Sequence, residues 1–288
     1  MSYVYLVDGT YELFRAFFGA PSAVKNGREV GATRSLLRSF SGMLLDPDVT
    51  HVGIAFDTVI ESFRNDMFPG YKTGAGIDPD LWNQFPLAEQ ATRALGIVTW
   101  SMIEFEADDA LAAFAARAAE DPSIEQVRIC SPDKDLCQCV RDPKIVTYDR
   151  RQKKAFDSAG VRERLGVAPE QVPSLLALVG DTADGIPGIP RWGEKSAAKV
   201  LSKYRNVAEI PDDSRSWELQ VRGAPALASE LARAREDALL YEKLATLRLD
   251  VPLTETVEDT RFRGVNHAEL RKMCEILDAE DVLARFSN

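Results

Sequence analysis

The sequence predicts an α/β chain built on a central, twisted, mostly parallel sheet flanked by helices. Two observations lead there. Apolar runs with strand character, Tyr3-Val4-Tyr5-Leu6-Val7, His51-Val52-Gly53-Ile54-Ala55-Phe56 and Gln126-Val127-Arg128-Ile129-Cys130-Ser131, alternate with helical segments, the order that gives parallel strands joined by crossovers. These runs also lead into acids: Asp8 and Asp57 follow the first two directly, and Asp133 and Asp135 come just after the third. Ligands bind parallel sheets at the carboxyl ends of the strands, so acids at those ends point to a site.

After the first strand, Gly9-Thr10-Tyr11-Glu12-Leu13-Phe14-Arg15-Ala16-Phe17-Phe18 reads as a turn and an aromatic helix. Its aromatic stripe reads as core rather than as a base-stacking platform. Arg15 is equally compatible with a phosphate clamp and with a surface charge. A second helix is expected over about 32–45, broken by Asp46-Pro47-Asp48. The stretch from Ser62 to Phe105 is the least regular. Phe63 to Gly76 mixes turn formers with basic and aromatic residues, 80–95 reads as helix and 97–102 as strand, so a mobile segment overhanging the site is expected.

Glu106-Ala107-Asp108-Asp109 then opens an Ala/Leu-rich helix. One acid in a first turn is favoured by the helix dipole, but three crowded together repel unless a cation shares them. Lys144 to Asp149 supplies a further strand, and Arg150, Arg151, Lys153 and Lys154 form a basic turn that is either solvated or against a nucleic-acid backbone. Helices dominate after about Val161. The helix-like run Leu175 to Gly180 leads into Asp181 and Asp184. With Asp8, Asp57, Glu106, Asp108, Asp109, Asp133 and Asp135, these make nine carboxylates that the fold carries towards one edge. Nine acids converging without metal are hard to sustain, and the set reads as a cage for hard divalent cations.

Gly185-Ile186-Pro187-Gly188-Ile189-Pro190-Arg191-Trp192-Gly193 forms a tight hairpin, and a helix opens at Glu194. The free amides of its first turn suit an anion. Lys195, Lys199 and Lys203 are spaced one turn apart, a basic face suited to gripping a DNA backbone without reading bases.

Composition limits the alternatives. A chain of 288 residues can bury a sizeable core in one or two domains. No segment is long and apolar enough to span a membrane, and the N-terminus lacks a signal pattern. Cys130, Cys137, Cys139 and Cys274 make no paired framework. With His51 and His267 as the sole histidines, no zinc spacing arises. Reduced thiols and a cytoplasmic setting follow. The net charge of −10 argues against a generic nucleic-acid binder, unless the acids gather at a metal site and the bases cluster elsewhere.

Taken together, these motifs resemble the structure-specific 5′ nucleases, or flap endonucleases, including the N-terminal domain of bacterial DNA polymerase I. The matching blocks are Val7-Asp8-Gly9, Ala55-Phe56-Asp57 with Phe63-Arg64, Gly70-Tyr71-Lys72, Glu106-Ala107-Asp108-Asp109, Asp133-Lys134-Asp135-Leu136, and Gly180-Asp181 through Ala198. The resemblance implies a PIN-like catalytic domain over 1–165, with a helical arch at about 64–105. It implies a helical DNA-binding region over 166–288, with a helix–hairpin–helix at about 181–204. Two magnesium or manganese ions on the nine acids, and potassium at the hairpin, are the implied cofactors. Lys72 and Arg64 are the implied catalytic cations. Arg15, Gly188, Arg191, Gly193, Lys195, Ser196 and Lys199 are the implied DNA contacts. The implied activity is 5′-3′ exonuclease and flap endonuclease cleavage by a monomer, on 5′ flaps, nicked or gapped duplex and 5′ single-stranded ends, RNA–DNA hybrid included. Two departures stand out: Ala75 replaces a frequent arginine, and Arg191-Trp192 replaces the usual Gly-Ile. A DNA-structure-binding protein with weak or lost catalysis is the competing reading.

Overall fold

Apolar β-branched and aromatic runs become strands, and the Asp or Ser at their ends starts the next connection. The computed structural model describes residues 2–286. In chain order the elements are β1 (Tyr3–Asp8), α1 (Gly9–Gly19), β2 (Val24–Lys25), β3 (Arg28–Glu29), α2 (Gly31–Leu44), β4 (Val49–Asp57), α3 (Phe63–Met67), α4 (Pro79–Trp82), α5 (Phe85–Ala94), β5 (Val98–Met102), α6 (Ala107–Ala119) and β6 (Gln126–Cys130). They continue as β7 (Ile145–Asp149), β8 (Lys154–Phe156), α7 (Ser158–Leu165), α8 (Val172–Val179), α9 (Glu194–Leu201), α10 (Ala224–Arg233), α11 (Arg235–Ala245), α12 (His267–Leu277) and α13 (Glu280–Ala284).

Packing divides the chain into two units. The first comprises Met1–Ser62, Gly74–Ser131 and Leu249–Asn288, and the second Phe63–Thr73 and Pro132–Arg248. In the first, the strands stand in the order β5-β4-β1-β6, all parallel, and Asp8 lies level with Ala55, two residues before Asp57. The expected α/β class is therefore observed. Helix α2 buries Leu36, Leu37, Phe40 and Leu44, and α6 buries Ala110, Leu111, Phe114 and Ala118. The alanines of α6 let it lie close to the sheet, with Phe114 against Trp100 at 4.8 Å between ring centroids.

The second unit holds the antiparallel pair β7–β8 and a helical core. Helix α8 buries Leu175, Leu176 and Leu178, α9 buries Ala197, Val200 and Leu201, and α11 buries Ala238, Tyr241 and Leu244. Among the described residues the four cysteines form no disulfide, and three of them are buried. Among the described residues no helix is long and apolar enough to cross a membrane.

The two packing units do not follow the expected bounds in sequence. The stretch 64–105 is divided between them. Residues up to Thr73 pack in the second unit, whereas Leu81, Phe85, Ala88, Ala91 and Leu95, at helical spacing, are buried in the first. Residues 166–288 are divided between the units as well. Leu270, Met273 and Leu277 of α12 are buried in the first unit, and Arg38 of α2 forks onto Asp281.

Candidate active site

The first unit collects five of the nine acids. Asp8 ends β1 and caps α1: its Oδ1 accepts the Tyr11 amide at 2.8 Å, and its Oδ2 accepts the Ser131 hydroxyl at 2.9 Å. Asp57 ends β4, and its Oδ1 accepts the Ala107 amide at 2.7 Å, so the strand end holds the first turn of α6. Glu106 accepts the Ser62 hydroxyl at 2.8 Å, and Asp109 turns back to the Glu106 amide at 3.1 Å. Asp108 is partly exposed one residue earlier in that turn, while Asp8, Asp57, Glu106 and Asp109 are buried. Amide and hydroxyl donors orient these buried carboxylates and satisfy some of their oxygens.

The second unit collects Asp133, Asp135, Asp181 and Asp184, with two lysines among them. Lys72 Nζ lies 3.2 Å from Asp184 Oδ1, and Lys134 Nζ lies 3.3 Å from Asp181 Oδ2. Tyr71 donates its hydroxyl to Asp184 at 3.2 Å, and the Lys72 amide donates to the Asp184 carbonyl at 3.0 Å. Gly185 explains that approach: its φ is +73°, and an added Cβ would lie 2.3 Å from the Gly70 carbonyl oxygen. The Asp181 side chain closes a turn on the Ala183 amide, and its backbone pairs both ways with Ile186 at 2.8 Å. Gly188, with φ +71°, makes this hairpin possible, since a Cβ there would sit 2.5 Å from the Gly180 nitrogen.

Asp135 differs from the other eight. It is buried, its amide donates to Asp133, and its Oδ1 has no hydrogen-bond partner. Burial, and then Asp133, Asp184 and Asp181, push its carboxyl well above the usual carboxylate range, with Lys72 opposing them. An orphaned buried oxygen amid like charges fits a cation-binding role. Among the described residues no three of these acids already stand together in metal-ligand geometry.

Arg64, expected at a phosphate, is 1 % exposed in this structure, and its guanidinium donates to the carbonyls of Leu244 at 2.7 Å and Thr246 at 3.1 Å while lying over Phe63. It satisfies the C-terminal carbonyls of α11, where a cation also opposes the helix dipole. Leaving that place for a substrate would orphan those groups. Arg15 likewise pairs with Glu12, through Nε at 3.1 Å.

In the hairpin, Arg191 takes φ +70°, a left-handed conformation that disfavours side chains, and its charge sits 4.0 Å from Glu230. Trp192 is core: it is buried, its Nε1 donates to the Leu227 carbonyl at 3.1 Å, and its ring meets Trp217 at 6.1 Å. Gly193 caps α9, and Ser196 Oγ accepts its amide at 3.0 Å. Lys195 and Lys199 are exposed and, among the described residues, make no ion pair. Lys203 lies beyond the helix end and pairs with Glu218 at 2.5 Å, so it leaves that face. Sequence reasoning missed Ser131, Ser62 and Lys134. The signal for Lys134 was there, a lysine flanked by two acids.

The family model described as the 5′-3′ exonuclease N-terminal resolvase-like domain matches residues 3–166. This chain belongs to the 5′-3′ exonuclease family. The model for the family's C-terminal SAM fold matches residues 167–268. DNA polymerase I of Bacillus caldotenax is 31 % identical over 290 residues, covering 98 % of this chain and 32 % of that protein. DNA polymerase I of Rhizobium leguminosarum is 34 % identical over 262 residues, covering 87 % and 25 %. The chain thus spans about a third of the length of the first of these relatives and a quarter of the second. Among solved structures, T5 5′-exonuclease with bound divalent metal ions (zinc) superposes with a TM-score of 0.68 at 18 % identity, covering 99 % of this chain and 96 % of that one. Human GEN1 in complex with Holliday junction DNA gives 0.65 at 14 %, covering 98 % and 71 %. At those identities the likeness is one of fold.

Proposed function

We propose that this 5′-3′ exonuclease family member is a metal-dependent 5′-3′ exonuclease and flap endonuclease that hydrolyses phosphodiesters in branched or frayed DNA, RNA–DNA hybrid included. The observation that carries the reading is the acid set, in particular the buried Asp135 oxygen left without a donor among Asp133, Asp181 and Asp184. Asp8, Asp57, Glu106, Asp108, Asp109, Asp133, Asp135, Asp181 and Asp184 would hold two magnesium or manganese ions, some through water. Bound there, such ions would supply Lewis-acid chemistry, activating a water and stabilising charge on a leaving oxygen.

The chain's own residues do the rest. Lys72 trades Asp184 for the scissile phosphate and neutralises it. The first amides of α9, with Lys195, Lys199 and Ser196, hold a duplex backbone, Gly188 and Gly193 let it approach, and Arg191 and Arg15 add charge at the margins. Hairpin carbonyls offer oxygen ligands to potassium. The substrates are 5′ flaps, nicked or gapped duplex and 5′ single-stranded ends, and the working form is a cytoplasmic monomer. Functionally, residues 1–165 form the catalytic part and 166–288 the DNA-gripping part, around the helix–hairpin–helix at 181–204.

Ala75 favours a second reading, a DNA-structure-binding protein with weak catalysis, because a cation frequent in similar proteins is missing there. A 5′-flap duplex incubated with magnesium or manganese, and in parallel with EDTA, decides between the two. Cleavage dependent on metal supports the nuclease. Tight flap binding with no cleavage in either metal supports the binding protein, and absence of both sinks both.

A further inference from the structure

Asp135, whose buried Oδ1 has no hydrogen-bond partner, stands at the start of a short 3-10 helix, Asp135–Cys139. An isolated turn of this kind has little stability of its own, so neighbours must hold it. Gln138 of the same turn does so. Its Nε2 donates to the Asp135 carbonyl at 2.8 Å and to the Ala245 carbonyl at 2.9 Å, and its Oε1 accepts the Leu247 amide at 3.0 Å. A carboxamide carries a pair of N–H donors and an acceptor oxygen, so these partners engage both of its ends. The turn is thereby fastened to the C-terminal end of α11.

That helix end is held from a second side. The last carbonyls of a helix have no partner within it. Arg64 takes those of Leu244 and Thr246, and Gln138 takes that of Ala245 between them. Arg64 belongs to α3, and the next residue, Asn65, donates its Nδ2 to the Lys72 carbonyl at 3.0 Å. Asp135 and Lys72 lie far apart in the chain. Both are thus referenced to the same consecutive carbonyls at the end of α11.

We propose that Gln138 is a positioning residue. It sets Asp135 against the end of α11, in register with Lys72, so that the carboxylate is placed to receive a divalent cation. Gln138 grips the backbone of Asp135 and not its carboxylate, so it orients the acid without competing for the cation. The inference rests on the metal-dependent reading above and adds to it a residue that sets the geometry of one acid in the second unit. Outer residues that orient a metal ligand through hydrogen bonds typically carry roughly 10- to 100-fold in metal affinity or activity.

The full chain is titrated with manganese chloride alone, without DNA, while the electron paramagnetic resonance signal of the free ion is followed. Gln138→Met keeps the length of the side chain and removes its hydrogen bonds, and should weaken manganese binding roughly 10- to 100-fold. Gln138→Asn draws the carboxamide back by one methylene. It should show the same loss, and it carries the test if the methionine variant does not fold. Gln171 is the matched control. It fastens the end of α9 in the same way, its Nε2 donating to the carbonyls of Leu201 at 2.6 Å and Tyr204 at 3.2 Å, and among the described residues none of the acids is its partner. Gln171→Met should lower the melting temperature by a similar amount and keep the wild-type affinity for manganese. On a 5′ flap, Gln138→Met should slow single-turnover cleavage at saturating enzyme and leave flap affinity in EDTA unchanged. Wild-type manganese affinity in the Gln138 variants, or an equal loss in Gln171→Met, overturns this proposal alone. Absence of manganese binding by the wild type defeats the metal-dependent reading and this inference together.

Discussion

In the first unit, Asp8, Asp57, Glu106 and Asp109 are held by neutral donors: the amides of Tyr11, Ala107 and Glu106 and the hydroxyls of Ser131 and Ser62. In the second, Asp184 and Asp181 are held by the ammonium groups of Lys72 and Lys134, and Asp135 keeps one buried oxygen bare. These contacts differ in the type of donor. Amide and hydroxyl donors orient a carboxylate and leave its charge available to a cation. An ammonium cancels the charge and must move before a cation or a phosphate can use it. The amide and hydroxyl contacts orient the first set, and the ammonium contacts of Asp181 and Asp184 must be exchanged before a cation takes their place.

The largest expected effect comes from the first set. Asp57→Asn keeps an oxygen for the Ala107 amide but removes the charge, so cleavage of a 5′ flap in magnesium should fall at least roughly a hundredfold, as loss of several kcal/mol of metal-borne charge stabilisation implies. DNA binding and melting temperature should hold. Near-normal cleavage by this variant would remove the first cluster from the metal site.

A gain of similar size is expected at Ala75. Arg64 is buried under α11, and Arg93 is held by Glu89 at 3.3 Å, so neither fills the missing charge. Ala75 is exposed. Adding a cation three residues after Lys72 with Ala75→Arg should raise single-turnover cleavage by up to about a hundredfold, the usual worth of one preorganised group, and change substrate affinity much less. An unchanged rate would mean that the lysine alone suffices.

Stability without metal should separate the clusters by sign. Asp109→Ala removes the side chain that closes the first turn of α6 on the Glu106 amide, a loss of about 1 kcal/mol. In a chain of this size that lowers the melting temperature by roughly 2–4 °C. Asp135→Asn removes a buried charge crowded by three acids, and should raise it by a similar few degrees. Scanning calorimetry in EDTA reads both, and equal signs would break the comparison.

The smallest effect is in the pH dependence of that gain. The Asp135 carboxyl is raised in the folded chain, so folding takes up its proton more readily than the unfolded chain does. Its contribution is favourable at low pH and is lost as pH rises from the ordinary carboxylate value, about 4, through the folded value. The advantage of Asp135→Asn in EDTA should therefore widen as pH rises across that window and then level off. A difference that stays constant from pH 4 upward would exclude Asp135 as the titrating group.

Much of this was legible along the chain because local chemistry decides it. An apolar run of alternating or β-branched residues makes a strand whatever packs on it, and the Asp that ends β1 finds the Tyr11 amide three residues on. The glycines at 185 and 188 announce a hairpin because few other residues accept those φ values. What the sequence by itself determined is therefore the acids at strand ends, the parallel sheet, and the hairpin followed by a lysine-bearing helix. The tertiary structure alone decided which partners long-range contacts deliver. Arg64 met carbonyls 180 and 182 residues away rather than a phosphate, and Lys72 met an aspartate 112 residues on (184 − 72). It also decided that Phe18 and Trp82 face outward while Trp192 turns in, and that α12 packs in the first unit. Periodicity along the chain fixes which residues share a face, but only the folded neighbours determine whether that face is covered.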